Sequence, residues 1–170
     1  MAKKLVRPLD YIEEIDGHLI FLAGPIKSAY DWQEKAIELI SKESPDITIA
    51  SPRVIDAQCG GDFCTKRFNQ QVDWESYHLK RAGEKGCILF WLAKEYEHDC
   101  KRAYAQTSRF ELGEWKTKHE ILGTNIVVGI EEGFSNARYI KRRISEECPK
   151  VPICSSLEEA CKEAIRLCNN

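Results

Sequence analysis

No stretch of this 170-residue chain approaches the roughly 20 consecutive apolar residues that a membrane-spanning helix needs. The basic start, Lys3-Lys4-Leu5-Val6-Arg7, leads into no apolar segment of the kind a secretory leader carries, so a cytoplasmic protein with no membrane partner is expected. Neither sign of charge dominates: the net charge is -2, which argues against a general nucleic-acid polymer binder. Eight cysteines are present but no C-x-x-C pair, and in a reducing compartment they do not suggest a disulfide framework. Cys59 with Cys64, and His98 near Cys100, are the nearest approach to a ligand set, and no metal site is expected from them. Cys87, Cys161 and Cys168 fall on apolar faces and read as buried thiols. Repeats, low-complexity tracts and linkers are also missing, so residues 1–170 are expected to form one domain.

What is present is an alternation of short apolar runs and amphipathic segments. His18 to Ala23 is a continuous apolar run, the pattern of a buried parallel strand, and it exits sharply through Gly24-Pro25-Ile26. Asp31-Trp32-Gln33-Glu34 reads as a capping box that opens a helix. Ile47 to Ala50 is a second strand, followed from Val54 to Arg67 by a long loop with Gly60-Gly61. A helix over 68–82, a strand over 87–92, a charged flap over 93–106 and a helix over 108–119 come next. Strands over 125–129 and 151–153 and helices over 137–144 and 156–167 complete the chain. Such alternation predicts an α/β three-layer sandwich with a five-stranded parallel sheet in the flavodoxin-like order 2-1-3-4-5.

Two carboxylates draw attention in this frame, one out of pattern and one at the sheet's carboxyl edge. On the helix over 68–82, Phe68, Val72, Leu79 and Ala82 form one apolar stripe, and the position that completes it is Glu75. Glu111 lies near the start of the helix after the third strand, at the carboxyl edge where open α/β sheets build ligand crevices. The topology brings both acids and the Gly24-Pro25-Ile26 exit to one crevice. A carboxylate pair suits glycosidic chemistry, with one acid attacking the anomeric carbon and the other assisting the leaving group. A structural alternative stands beside this. Ser108-Arg109-Phe110-Glu111 has capping-box spacing, and Glu75 could be an ion-pair partner of Arg53 or Arg109. Gly113 is read as allowing close approach of substrate or backbone.

The run Ile20 to Ile26, then Trp74-Glu75 with Leu79 and Ala82, then Ile88 to Trp91, then Thr107 to Trp115, resembles the nucleoside 2-deoxyribosyltransferase family. Glu131-Glu132-Gly133-Phe134, Arg138-Tyr139-Ile140 and Ser156 to Ala160 resemble the tail of its more divergent branch. The resemblance implies a flavodoxin-like sandwich that transfers 2-deoxyribose between nucleobases through a glycosyl-enzyme on Glu111. Glu75 would be the base-side acid, Gly24, Pro25 and Ile26 the floor, and Ser108 and Arg109 the sugar contacts, with Arg53 or Trp91 on the base side. It further implies a small-molecule nucleoside and nucleobase as substrates, no cofactor, and a homo-oligomer. Phe21 stands where many relatives carry a tyrosine, and Thr107-Ser108-Arg109 replaces the segment in which they often place an aspartate. A related branch hydrolyses nucleoside 5′-monophosphates, for which Lys27-Ser28, Ser108 and Arg109 are candidate phosphate contacts. A non-catalytic nucleotide-binding module on the same fold is the third reading.

Overall fold

The computed structural model describes residues 4–54 and 65–170. The Gly60-Gly61 loop with Cys59 and Cys64 therefore lies outside the described residues. In chain order the elements are β1 (Leu5–Val6), β2 (Leu19–Ala23), α1 (Trp32–Glu43), β3 (Thr48–Ala50), α2 (Thr65–Lys85), β4 (Gly86–Leu92), α3 (Gln106–Leu122), β5 (Ile126–Ile130), α4 (Ala137–Glu147), β6 (Ile153–Cys154) and α5 (Leu157–Cys168). All pairings are parallel, in the order β1-β3-β2-β4-β5-β6. The expected flavodoxin-like order is present, with one added edge strand, β1, beside β3. Two residues are too few to leave a period-2 signal, so β1 was invisible to pattern reading.

The central strands are apolar on both faces because both are covered. Phe21, Ala23, Ile88, Phe90, Leu92 and Val128 pack under α2, α3 and α4, through Trp74, Leu79, Leu112, Trp115 and Ile144. Ile20, Leu22, Leu89, Trp91 and Val127 point the other way, against Trp32, Ile40, Ala160, Cys161 and Ile165 of α1 and α5. Asp31 caps α1 by accepting from the Glu34 amide at 3.1 Å, as the capping-box spacing predicts. No helix among the described residues is long and apolar enough to cross a membrane.

Two close approaches fix the site's frame. At Gly24 an added Cβ would lie 2.2 Å from the Trp91 carbonyl oxygen and 2.8 Å from Trp32 Cζ2, so only glycine lets β2 leave the sheet there. The Trp32 indole then donates to the Pro25 carbonyl at 2.8 Å and pins the exit turn. Between helices, a Cβ at Gly83 would lie 2.6 Å from the Trp115 ring, so α2 and α3 touch at this point. Gly113, by contrast, has nothing within 4 Å of where its Cβ would be, so no backbone comes close to it. These environments predict opposite outcomes in thermal melts. Gly24→Ala should destabilise by about 1–3 kcal/mol through overpacking. Gly113→Ala should stabilise by about 0.5–1 kcal/mol, because the helix gains propensity without a clash. Equal melting temperatures for the two variants would contradict both assignments.

Candidate active site

At the carboxyl edge of β2, the exit turn and the amino-terminal parts of α2 and α3 enclose a cleft of about 330 Å³. Phe21, Ala23, Gly24, Pro25 and Ile26 form its floor. One wall comes from α2, which contributes Phe68, Gln71, Val72 and Glu75 in successive turns. The other wall is the start of α3, with Ala105, Thr107, Ser108 and Glu111, and Lys27 and Arg102 line the same space. Of the residues expected from sequence, the fold brings Glu75, Glu111, Gly24, Pro25, Ile26 and Ser108 together.

It does not bring Arg53, Trp91 or Arg109 to the cleft lining. Arg53 Nε is 2.9 Å from the Asp31 carboxylate, tying the end of β3 to the α1 cap. Strand alternation turns Trp91 to the α1/α5 face, 2% exposed, where it packs on Gly129. Arg109 donates to the Ser135 carbonyl at 2.9 Å and hydroxyl at 2.7 Å, with its guanidinium 4.5 Å from the Phe134 ring centroid. Neither arginine pairs with Glu75, so the ion-pair alternative does not hold for that residue.

The capping-box alternative for Glu111 is also displaced. Helix α3 starts at Gln106 after Ala105, which has a left-handed φ of 57° and offers no side-chain cap. Glu111 therefore sits in the second turn, too far along to reach back to the cap. Its carboxylate receives no hydrogen bond among the described residues. Burial first, then the charges of Glu75 and Glu114, push its pKa up to about 8. Phe21 lies on the cleft floor, a ring without a hydroxyl donor. Burial also raises Glu75, while the hydrogen bond from Gln71 works against the rise.

Gln71 escaped sequence reading. Its Nε2 donates to Glu75 Oε1 at 3.0 Å and reaches the Pro52 carbonyl at 3.5 Å. The i,i+4 spacing to Glu75 was the available signal. Phe68 and Val72 were expected in the core, but they are 57% and 41% exposed and face the cleft instead. The buried face of α2 runs through Trp74, His78, Leu79 and Ala82. The segment 93–106 was expected to be a free flap, yet it is sewn down. Tyr104 donates to the Ala93 and Lys94 carbonyls at 2.8 and 3.0 Å, and the Tyr96 amide donates to the Ser28 carbonyl at 2.8 Å. Arg102 reaches the Ser28 hydroxyl at 3.2 Å, which holds its guanidinium at the cleft.

Comparisons with known proteins bear on the fold and the family. A solved structure, a conserved protein from Enterococcus faecalis V583, superposes with a TM-score of 0.52 at 13% identity, covering 89% of this chain and 99% of that one. That likeness is one of fold. A search of curated proteins returns no significant match. Residues 17–134, which include every element lining the cleft, match the family model described as nucleoside 2-deoxyribosyltransferase like. The chain belongs to the nucleoside 2-deoxyribosyltransferase-like family.

Proposed function

We propose that this protein exchanges the nucleobase of 2′-deoxynucleosides with retention of configuration, through a covalent intermediate on Glu111. The observation that carries the reading is the placement of Glu75 and Glu111 on facing walls of one cleft whose two walls differ in polarity. The α2 wall is apolar around Glu75, with Phe68 and Val72 offering a surface for a planar base. The α3 wall is polar around Glu111, with Thr107, Ser108 and uncapped helix amides suited to sugar hydroxyls. Polarity thus orients the substrate with its base toward Glu75 and its sugar toward Glu111.

Chemistry follows from that orientation. A Glu111 carboxylate oxygen bonds to C1′ while the C1′–N bond breaks. The bonding pair leaves with the base, which takes its proton from Glu75. An incoming base then attacks C1′, displaces the Glu111 oxygen and returns a proton to Glu75. Two inversions give net retention.

A second reading has a specific observation behind it. Lys27 and Arg102 line the cleft beside the α3 start, and that helix has no acid in its first turn. Two cations and free amides there would suit a substrate carrying a 5′-phosphate, with water in place of the acceptor base. Chromatography of deoxynucleosides with and without an added acceptor base, run beside the matching 5′-monophosphates, separates the two. New nucleoside formed only with acceptor supports exchange, and free base released from the monophosphates alone supports hydrolysis.

Glu111→Gln should reduce turnover by at least about 10³-fold while the fold persists, since an amide cannot attack. Stability should change in the opposite sense. A carboxyl whose folded pKa of about 8 exceeds its ordinary 4.5 holds its proton more tightly when folded. Wild-type stability is thus full below the ordinary value and declines as pH rises through about 8. The amide variant should melt higher than wild type at pH 8, on the order of 5 °C, and equally near pH 4. A variant that melts lower at both pH values would show that Glu111 is a structural group.

The two acids are coupled, so the working form is the pair with one proton. Loss of the second proton, near pH 8, should lower kcat/KM, and gain of another at acid pH should lower it as well. In Glu75→Gln only Glu111 titrates, so the residual rate should rise with pH instead of falling. A wild-type profile flat across pH 7–9 would exclude the shared-proton mechanism.

A further inference from the structure

We propose that Gln71 is the residue that reads the nucleobase, and that with Glu75 it selects bases presenting a ring-nitrogen acceptor beside an exocyclic amino group. The inference rests on the glycosyl-transfer reading only for the side of the cleft the base occupies.

Hydrogen-bond geometry supplies the argument. The Gln71 Nε2 group is already committed, at 3.0 Å, to Glu75 Oε1. The same Nε2 group faces the Pro52 carbonyl at 3.5 Å, an oxygen that can only accept, so the amide's orientation is set by both neighbours together. Two consequences follow. Gln71 occupies Oε1, which leaves Glu75 Oε2 as the atom to carry the proton that the base receives. The Gln71 carbonyl oxygen has no hydrogen-bond partner among the described residues, yet Gln71 lines the cleft. The α2 wall therefore offers a donor, the protonated Glu75 oxygen, next to an acceptor, the Gln71 carbonyl. Phe68, one turn before Gln71, and Val72, one turn before Glu75, give a base plane an apolar surface to lie on.

A donor beside an acceptor is complementary to an acceptor beside a donor. Adenine presents that pattern at N7 and its 6-amino group, and cytosine presents it at N3 and its 4-amino group. Hypoxanthine and uracil place a carbonyl oxygen where the amino group should be. Two acceptors would then face each other in a partly dried cleft. A site built to hydrogen-bond one group rejects the analogue that leaves its polar atoms unpaired.

Gln71 thereby acts twice, as a positioning residue for Glu75 and as a contact to the base. The specificity ratio separates these roles, because positioning alone would change all rates together. The test compares 2′-deoxyadenosine with 2′-deoxyinosine, and 2′-deoxycytidine with 2′-deoxyuridine. Each pair is measured by kcat/KM on the full chain and by calorimetric binding to the Glu111→Gln variant. Wild type should favour the amino member of each pair by about tenfold or more. Gln71→Met should keep its fold and bring both ratios to within about twofold, whatever its absolute rate. Turnover with no amino preference in wild type, or a preference that survives in Gln71→Met, would overturn the assignment of Gln71 and leave the transfer reading standing. Selective binding by Gln71 with no turnover of any substrate would instead overturn the transfer reading and leave this one. A chain that binds none of the four nucleosides would overturn both.

Discussion

Two carboxylates, Glu75 and Glu111, face one cleft, and the charge of Glu75 adds to the burial that raises Glu111. Glu111 has no hydrogen bond from the described residues and lies within the electrostatic reach of Glu75 and Glu114. In water such an arrangement would relax by rotation of the side chains. Here the helices hold it, because α2 and α3 are clamped where Gly83 meets the Trp115 ring, on the same sheet face. Stability is spent at this point, and the raised proton affinity of Glu111 is the visible consequence.

The rest of the architecture supports that clamp. The covered sheet gives both helices a dry, apolar bed in Phe21, Phe90 and Leu92. On the other side of the cleft, Gly24 lets β2 end against the Trp91 carbonyl, and Trp32 holds the following turn through Pro25. The segment after β4 is tied to the same turn through Ser28, so the cations Lys27 and Arg102 keep their place beside the α3 start. Each wall of the cleft is thus anchored to the sheet independently. That is how an acid on an apolar wall and an acid on a polar wall come to line one cleft.

Legibility from sequence varied with the range of the interaction. Local signals read well: the Asp31 cap, the strand runs and the inward face of α5 depend on neighbours within a few residues. The out-of-pattern acid at Glu75 was legible because a carboxylate on an apolar stripe is conspicuous. Its meaning was not, since Phe68 and Val72, read as core, line the cleft. An apolar residue facing a ligand cavity and one facing a core leave the same trace in a sequence. The capping-box spacing at Ser108 misled for a related reason. Whether a serine caps depends on where the helix starts, and α3 begins earlier, at Gln106 after the left-handed Ala105.

The sequence by itself determined the layer order, the parallel sheet and the out-of-pattern acid at Glu75, because alternation and periodicity encode which faces are buried. The tertiary structure decided which polar groups meet. It took Arg53 to Asp31, Arg109 to Ser135 and Trp91 to the opposite face. It brought Gln71 and Arg102 to the cleft instead. Side-chain pairings across a cleft join residues far apart in the chain, and no periodicity records them. Proton affinity belongs to the same class, because it depends on the water and charge that the folded surroundings leave around a group.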